Sequence, residues 1–308
     1  AMHIELLEAH GFRNLEPLTL ELAGKAVLVR GKNAQGKTNL LEALYVCATG
    51  RSFRGAPPRE LLRHGSERGR LAARFSRQGV RHDVEVSLSG VQRQVSVDGR
   101  GLRQVTRLLE LVNVVAFFPD DLRIAKGSPE ERRRFLDRAI ANHRPDFVEA
   151  AMAYAKVLKS RNALLRAPAA PDRLLLETYD EQLVQHGAVM HQAREETLAD
   201  LVPLVARRFD AVMQSPSALG LRLHSGVPDG ELKEAFATAL SRSLPRDRAR
   251  GQTSVGPHRA DLLLSVHGRD ARLFASQGQQ RAMVLALKLA EVEYLTRRLG
   301  SPPILLLD

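Results

Sequence analysis

The sequence predicts an α/β fold in which a mixed sheet is interrupted by a mostly helical second lobe. Strand-like alternation occupies much of the first 120 residues of the 308-residue chain. Apolar residues recur at helical spacing between 128 and 213, and strand-like segments return at 261–266 and 304–307. We therefore expect lobes at 1–125, 126–250 and 251–308, with the first and third forming one interrupted α/β unit.

The individual strands follow from the spacing of apolar residues. Strands are expected at 3–8, 15–22, 71–75, 80–88 and 92–98, and a fully apolar strand at 112–118. Asp98-Gly99 is typical of a hairpin turn. A short apolar strand is expected at 26–29, directly before a glycine-rich loop and a helix over 39–48.

The helices of the second lobe carry local signals at their ends. Ser128 and Glu131 flank Pro129 as a capping box, which predicts a helix to about residue 142. Further helices are expected at 146–166, 173–213, 231–242 and 279–299, with a linker at 167–172 and a strand at 217–224. Pro203 should kink or break its helix, and the basic stretch 241–252 should form an exposed loop.

The glycine-rich loop matches the phosphate-binding pattern G-x-x-x-x-G-K-[ST]. Glycines let the backbone wrap around phosphate, and the following helix N-terminus adds partial positive charge. Lys37 can reach the β- and γ-phosphates, and Thr38 can offer its hydroxyl to Mg²⁺. A plain glycine-rich turn would explain neither Lys37 nor Thr38. The predicted binding residues are Gly31, Lys32, Asn33, Ala34, Gln35, Gly36, Lys37 and Thr38.

Two further segments complete this pattern. The apolar strand 304–307 leads into Asp308, whose carboxylate is expected to hold Mg²⁺ opposite Thr38. Small and amide side chains at a helix N-terminus make an anion site, although an ordinary N-cap by Ser276 explains the same residues. This second segment comprises Ser276, Gln277, Gly278 and Gln279.

Positive charge is concentrated in one region. The chain carries a net charge of +11, and residues 51–125 hold 14 arginines against 8 acidic residues, over half of the excess. Arginine can donate two parallel hydrogen bonds to a phosphate, so we expect this region to bind the phosphate backbone of a nucleic acid. The codon use of a GC-rich genome explains the choice of arginine over lysine but not the local surplus. The candidate DNA-binding residues are Arg51, Arg54, Arg59, Arg63, Arg74, Arg77 and Arg81.

Composition also excludes several classes. No stretch approaches 18 uncharged apolar residues, so no transmembrane helix and no membrane partner are expected. The first residues lack a secretory signal pattern, and the single cysteine, Cys47, fits a reducing cytoplasm and packing in a core. His186 and His191 have no cysteine cluster nearby, which argues against zinc.

These motifs together resemble an ABC-type ATPase head of the SMC class and, more closely, the RecF family of bacterial recombination mediators. The resemblance is carried by 11–15 (GFRNL), 50–54 (GRSFR), 118–122 (FPDDL), 126–129 (KGSP), 132–137 (RRRFLD) and 256–259 (GPHR). Phe53 replaces an expected His, Ala260 replaces an acidic residue, and no Q-loop glutamine lies in 117–122.

The resemblance implies a P-loop ABC-type ATPase head that binds ATP and Mg²⁺ and forms an ATP-dependent homodimer. Two ATP molecules would each lie between the catalytic Lys37 of one chain and Ser276 of its partner. Arg13 and Asn14 are similar to the Arg-loop beside the nucleotide. The resemblance further implies weak DNA-dependent ATPase activity. The partners it implies are double-stranded and single-stranded DNA, RecR and RecO. The outcome it implies is the loading of RecA at gaps during repair and replication.

The alternatives are another SMC-like chromosome-maintenance ATPase, a transport-type ABC subunit and a nucleotide-independent DNA-binding scaffold. Helices broken by Pro168, Pro171 and Pro203 argue against long SMC arms, and the basic surplus argues against a transporter subunit. The family pattern continues past Asp308 with a further catalytic carboxylate. We therefore expect a chain ending at Asp308 to bind ATP poorly and to hydrolyse almost none.

Overall fold

The computed structural model describes residues 2–22, 26–32, 34–168, 171–216 and 218–308. Predictions for Asn33, the linker residues 169–170 and Ser217 lie outside these ranges. The chain divides into two compact units: residues 1–120 with 295–308, and residues 121–294. Residues 276–279, which we call the signature-like segment, therefore lie in the second unit.

The first unit is built around an antiparallel sheet of six strands in the order β2-β1-β3-β4-β5-β6. Its strands are β1 (Met2–His10), β2 (Leu18–Glu21), β3 (Arg68–Arg77), β4 (Val80–Ser89), β5 (Arg93–Val97) and β6 (Arg100–Gly101). Asp98 and Gly99 both have positive φ, at 51° and 76°, as the predicted hairpin turn between β5 and β6 requires.

A second, parallel sheet of two strands lies in the same unit. The strands are β7 (Val114–Phe117) and β11 (Ile304–Leu307), paired from Ile304–Val114 to Leu307–Phe117. Helix α1 (Lys37–Thr49) contacts both sheets, and the short helices α2 (Pro58–Leu61) and α3 (Leu108–Leu111) complete the unit. Apolar side chains of both sheets and α1 form one core, which includes the fully buried Cys47.

The second unit is mostly helical. Its helices are α4 (Arg123–Lys126), α5 (Pro129–Ala141), α6 (Pro145–Arg166), α7 (Arg173–Met213), α8 (Leu232–Arg250), α9 (Ala271–Phe274) and α10 (Gln277–Leu299), the last turn of α10 belonging to the first unit. A small antiparallel sheet joins β8 (Leu219–His224), β9 (Asp261–Val266) and β10 (Arg269–Asp270) in the order β10-β9-β8. The Ser128–Glu131 capping box is present.

Three local predictions were wrong. Residues 26–29 form no strand, because a strand needs a neighbour for its backbone hydrogen bonds and no described strand pairs with this run. Helix α7 continues unbroken through Pro203. The stretch 241–250 is not a loop but the second half of α8, because tertiary contacts of the buried Asp247 outweigh its proline and charges.

No helix within the described residues is both long and apolar enough to cross a membrane.

Candidate functional site

The glycine-rich loop joins residues 26–32 to helix α1 and presents the N-terminus of that helix. Gly36 is the N-cap residue with φ 91°, a left-handed conformation that a side chain would strain. A Cβ on Gly36 would come within 2.9 Å of the side-chain ends of Leu15 and Asn14, which would have to shift. No side chain caps α1, and its first turn holds no acidic residue. The positive end of the helix dipole is therefore not compensated by any side chain of the helix's own first turn.

Lys37 lies on this loop with its ammonium group directed inward. Its Nζ donates to the carbonyl oxygens of Gly31 at 2.8 Å and Lys32 at 2.7 Å. The Gln35 side chain accepts from the Lys32 backbone N–H at 2.8 Å, which closes the loop on its other side. The loop thus concentrates one full positive charge and several backbone N–H groups in a small volume, as a phosphate site requires.

Thr38 and Asp308 meet although they are 270 positions apart. The Thr38 hydroxyl donates to Asp308 Oδ2 at 2.7 Å. Asp308 is held in place by its backbone N–H, which donates to the Phe117 carbonyl at 3.0 Å as β11 ends beside β7. The predicted Mg²⁺-binding pair is therefore adjacent.

The donor set fits Mg²⁺ bound to a nucleotide. A hydroxyl and a carboxylate are hard oxygen ligands, and Mg²⁺ in phosphate-binding sites keeps water and phosphate for its other positions. Among the described residues, no group of three or more His, Cys, Asp or Glu side chains is arranged to hold a metal. An ion here would consequently depend on phosphate oxygens to complete its coordination.

Arg13 and Asn14 differ in how they relate to the loop. The Asn14 amide donates to the Ala34 carbonyl at 3.3 Å, and its oxygen accepts from Asn39 at 2.7 Å, so Asn14 lies against the loop. Arg13 instead forks onto Glu42, with Nε and Nη2 at 2.9 and 3.0 Å from its two oxygens. The guanidinium of Arg13 is thus engaged within the chain and positions the loop that carries Asn14.

The fully buried Glu42 is a residue that our sequence analysis missed. Besides Arg13, its carboxylate accepts from the Ser52 hydroxyl at 2.6 Å and from Arg54 at 3.2 Å. Glu42 therefore connects α1 to the segments around Arg13 and Ser52. The detectable signal was an acidic residue within the apolar run LLEALYV.

The signature-like segment forms the N-terminus of α10 in the second unit. The Gln279 backbone N–H donates to Ser276 Oγ at 3.2 Å, and the Ser276 N–H donates to the Gln279 side chain at 2.9 Å. This is a capping box. Ser276, Gln277 and Gly278 remain exposed at the start of a 23-residue helix, so they stay available to an external group.

The seven candidate DNA-binding arginines fall into two groups. Five are engaged within the chain: Arg54 with Glu42, Arg63 with Glu16, Arg74 with Asp83, Arg81 with Glu5, and Arg77 with the Leu299 carbonyl. Only Arg51 and Arg59 among the seven have side chains without such a partner in the described part of the chain. Arginines outside the candidate set that share this property include Arg68, Arg93, Arg103 and Arg107.

Comparisons with known proteins identify the family of the chain. A family described as AAA domain matches residues 7–133. The chain is 41% identical over 315 aligned positions to "DNA replication and repair protein RecF" of Myxococcus xanthus, covering 100% of the chain and 83% of that protein. The chain belongs to the RecF family. Its fold is accordingly the α/β fold of P-loop, SMC-like ATPase heads.

Solved structures support the same fold. The RecF structure titled "Structure of the recombination mediator protein RecF-ATP in RecFOR pathway" superposes with a TM-score of 0.93 at 32% identity, covering 100% of the chain and 84% of that protein. The Smc head domain from Pyrococcus yayanosii superposes with a TM-score of 0.50 at 11% identity, covering 100% and 92%, and shares the fold alone.

Two departures from the expected RecF pattern are accommodated by packing. Phe53 is buried and stacks on Phe118 with ring centroids 3.5 Å apart, so an aromatic side chain fills this core position. Ala260 is buried, and the neighbouring Asp261 carries the carboxylate, which binds Arg132 at 2.7 and 2.9 Å.

Proposed function

We propose that this RecF-family chain is an ATP-dependent, DNA-binding recombination mediator. The observation that carries the proposal is the 2.7 Å contact between Thr38 and Asp308 beside the uncapped N-terminus of α1. Lys37 and the α1 N–H groups would hold the β- and γ-phosphates, and Thr38 with Asp308 would hold Mg²⁺. Bound Mg²⁺ would neutralise the charge of the phosphates.

The finer parts of the proposal follow the family. ATP would bring two copies together, with Ser276–Gln279 of one copy contacting the nucleotide held by the other. Arg51 and Arg59 of the first unit would bind DNA phosphates, and Arg54, Arg63, Arg74, Arg77 and Arg81 would contribute mainly to folding. RecO and RecR would be partners in delivering RecA to gapped DNA. A RecF relative of known structure is described as RecF with ATP in the RecFOR pathway.

Binding of ATP is tested by calorimetry with Mg²⁺ on the wild type, Thr38→Ala and Lys37→Ala. We expect Lys37→Ala to abolish measurable binding, and Thr38→Ala to weaken binding only when Mg²⁺ is present. Thr178→Ala, on the exposed side of α7, is a matched hydroxyl deletion that should leave binding unchanged. Unchanged binding in Lys37→Ala would disprove the assignment of the loop.

The link between ATP and DNA is tested by filter binding with and without ATP. We expect the wild type to bind duplex DNA more tightly with ATP and Mg²⁺, and Lys37→Arg to lose this difference while retaining its ATP-free affinity. Equal wild-type affinity in both states would favour the nucleotide-independent scaffold instead.

A further inference from the structure

Arg93, the first residue of β5, is a half-buried cation without a counter-charge. Side chains alternate along a strand, so Arg93 shares the core-facing side of β5 with the buried Val95 and Val97. Its Nε atom is buried and has no hydrogen-bond partner. Leaving a charged donor buried and unpaired is costly, so a protein retains such a group where a partner from outside completes it.

A second arginine lies next to it. Gly50 ends α1 with φ 68°, and a Cβ at this position would come within 2.3 Å of Val105, so the two segments are in close contact. The Leu102 backbone N–H donates to the Val95 carbonyl at 2.8 Å, so the chain that leads to Val105 starts beside β5. Arg51 follows Gly50 directly, and its positive charge is close enough to act on the Arg93 guanidinium.

The position of Arg51 is fixed by its own backbone. The Thr49 hydroxyl accepts from the Arg51 N–H at 3.2 Å and donates to the Arg51 carbonyl at 3.1 Å. Its side chain is exposed. Burial first, and the positive charge of Arg51 second, lower the pKa of the Arg93 guanidinium.

Two arginines elsewhere in the sheet, both on β3, show the opposite arrangement. On β3, Arg70 contacts Glu8 at 2.7 Å and Glu85 at 2.8 Å, and Arg74 contacts Asp83 at 2.7 Å. Within the described residues, no carboxylate pairs with either Arg51 or Arg93. The two neighbouring guanidinium groups therefore form an uncompensated site at one end of the sheet.

We propose that Arg51 and Arg93 together bind one phosphate group of a nucleic acid backbone. This proposal rests on the DNA-binding function proposed above and assigns its contact residues. Two guanidinium forks supply enough N–H donors for the oxygens of a single phosphate. The exposed, unpaired Arg103 and Arg107 lie on either side of Val105 and would extend the path of positive charge along a continuous backbone.

The test measures duplex DNA binding at several salt concentrations for Arg51→Gln, Arg93→Gln and the double variant. Removing one phosphate contact lowers the slope of log affinity against log salt by about 0.9. Each single variant should show this loss irrespective of DNA sequence. Because both arginines hold the same phosphate, the double variant should lose no more than about 0.9 in total.

Arg173→Gln is the matched control. It removes the same charge from a side chain that is 91% exposed and paired only with Glu177 in the second unit. We expect its slope to equal that of the wild type. Arg93→Lys should retain the slope with weaker affinity, since lysine retains the charge without the fork. If Arg93→Gln unfolds, the exposed Arg51→Gln provides the same measurement.

Three outcomes overturn the proposal and can be told apart. Slopes of both single variants equal to that of Arg173→Gln, with wild-type DNA binding intact, would reject this site and leave the DNA-binding function standing. Unchanged slopes with weakened ATP or inorganic phosphate binding would assign the pair to a small anion. Absence of salt-dependent DNA binding in the wild type would reject the proposed function itself.

Discussion

At the scale of single residues, a buried carboxylate, Glu42, supports the proposed nucleotide site. The Glu42 carboxylate accepts hydrogen bonds from Arg13, Ser52 and Arg54. It thereby links helix α1 to the segments around Arg13 and Ser52. Two cations share one buried anion, so the charge balance is sensitive to that anion. A buried ion pair is costly to break from one side, because the remaining charge cannot be resolvated.

Glu42→Gln should therefore destabilise the protein although the shape of the side chain is preserved. We expect a loss of about 3 kcal/mol in the free energy of unfolding, measured by urea denaturation. Glu16→Gln is the control, since Glu16 binds Arg63 at the surface with a side chain that is 77% exposed. That change should leave the free energy of unfolding close to the wild-type value. Equal losses in the two variants would contradict the assigned role.

His258 makes the stability of the second unit depend on pH. Its Nε2 lies 3.0 Å from the Thr253 carbonyl and its Nδ1 lies 2.8 Å from the Tyr154 hydroxyl. The neutral ring satisfies both contacts when Nε2 carries the proton and Nδ1 accepts from Tyr154. Burial lowers the pKa of His258 to about 4, from an ordinary value of 6.5.

The sign of the pH effect follows from this depressed pKa. The unfolded chain binds a proton between pH 6.5 and 4 and the folded chain does not, so folding is favoured above pH 6.5 and loses stability as pH falls towards 4. We expect a loss of about 3 kcal/mol across this window from His258 alone. Urea denaturation from pH 7 to 4.5 measures it. His258→Gln should show a flatter profile, and a profile parallel to the wild type would refute the assignment.

At the scale of elements, α8 shows how tertiary contacts extend a helix. Its second half contains Pro245 and several charges, which locally favour a loop. The fully buried Asp247 accepts from Ser243 at 2.9 Å and from the fully buried Arg161 of α6 at 3.2 Å. Arg161 also contacts Asp180 of α7 at 2.6 Å. Three helices are thus joined by one guanidinium.

Asp247→Asn should loosen the second half of α8. The substitution leaves Arg161 with less negative charge in a buried position, and we expect about 3 kcal/mol of destabilisation. Amide exchange at 245–250 should accelerate more than at 232–240. Asp270→Asn is the control, because Asp270 pairs with Arg272 near the surface. Uniform exchange rates along α8 in Asp247→Asn would show that the helix does not depend on this contact.

At the scale of the whole molecule, the two units differ in continuity. The second unit is one uninterrupted segment, 121–294, whereas the first unit needs residues 295–308 as well. Long-range pairs within the second unit, Arg132 with Asp261 and Arg194 with Asp137, join its beginning to its later elements. It therefore contains the groups that its own core requires.

A fragment of residues 121–294 should fold by itself. We expect helical circular dichroism and one cooperative thermal transition. A fragment of residues 1–120 should not do so, because β7 then loses its parallel partner β11 and the Asp308 side of the nucleotide site. A non-cooperative melt of the 121–294 fragment would show that its core depends on the first unit.

The sequence predicted most of the elements and the centre of the site, but not the environment of each charge. The loop 31–38, Asp308 and the strand-to-helix order were all recognisable from pattern. The arginine surplus was recognisable as well, yet five of the seven candidate arginines are engaged within the chain. Arg93, which has no such partner, looked like any other strand residue.

The division between the two sources of information has a physical basis. Features held by hydrogen bonds within a few residues were decided by sequence: the Ser128–Glu131 cap, the Asp98-Gly99 turn and the left-handed Gly36. Features that require a distant partner were decided by tertiary structure: the unpaired run 26–29, the helical 243–250 and the contacts of the buried Glu42. Local patterns record backbone preference, whereas strand pairing and charge neutralisation depend on residues that only folding brings together.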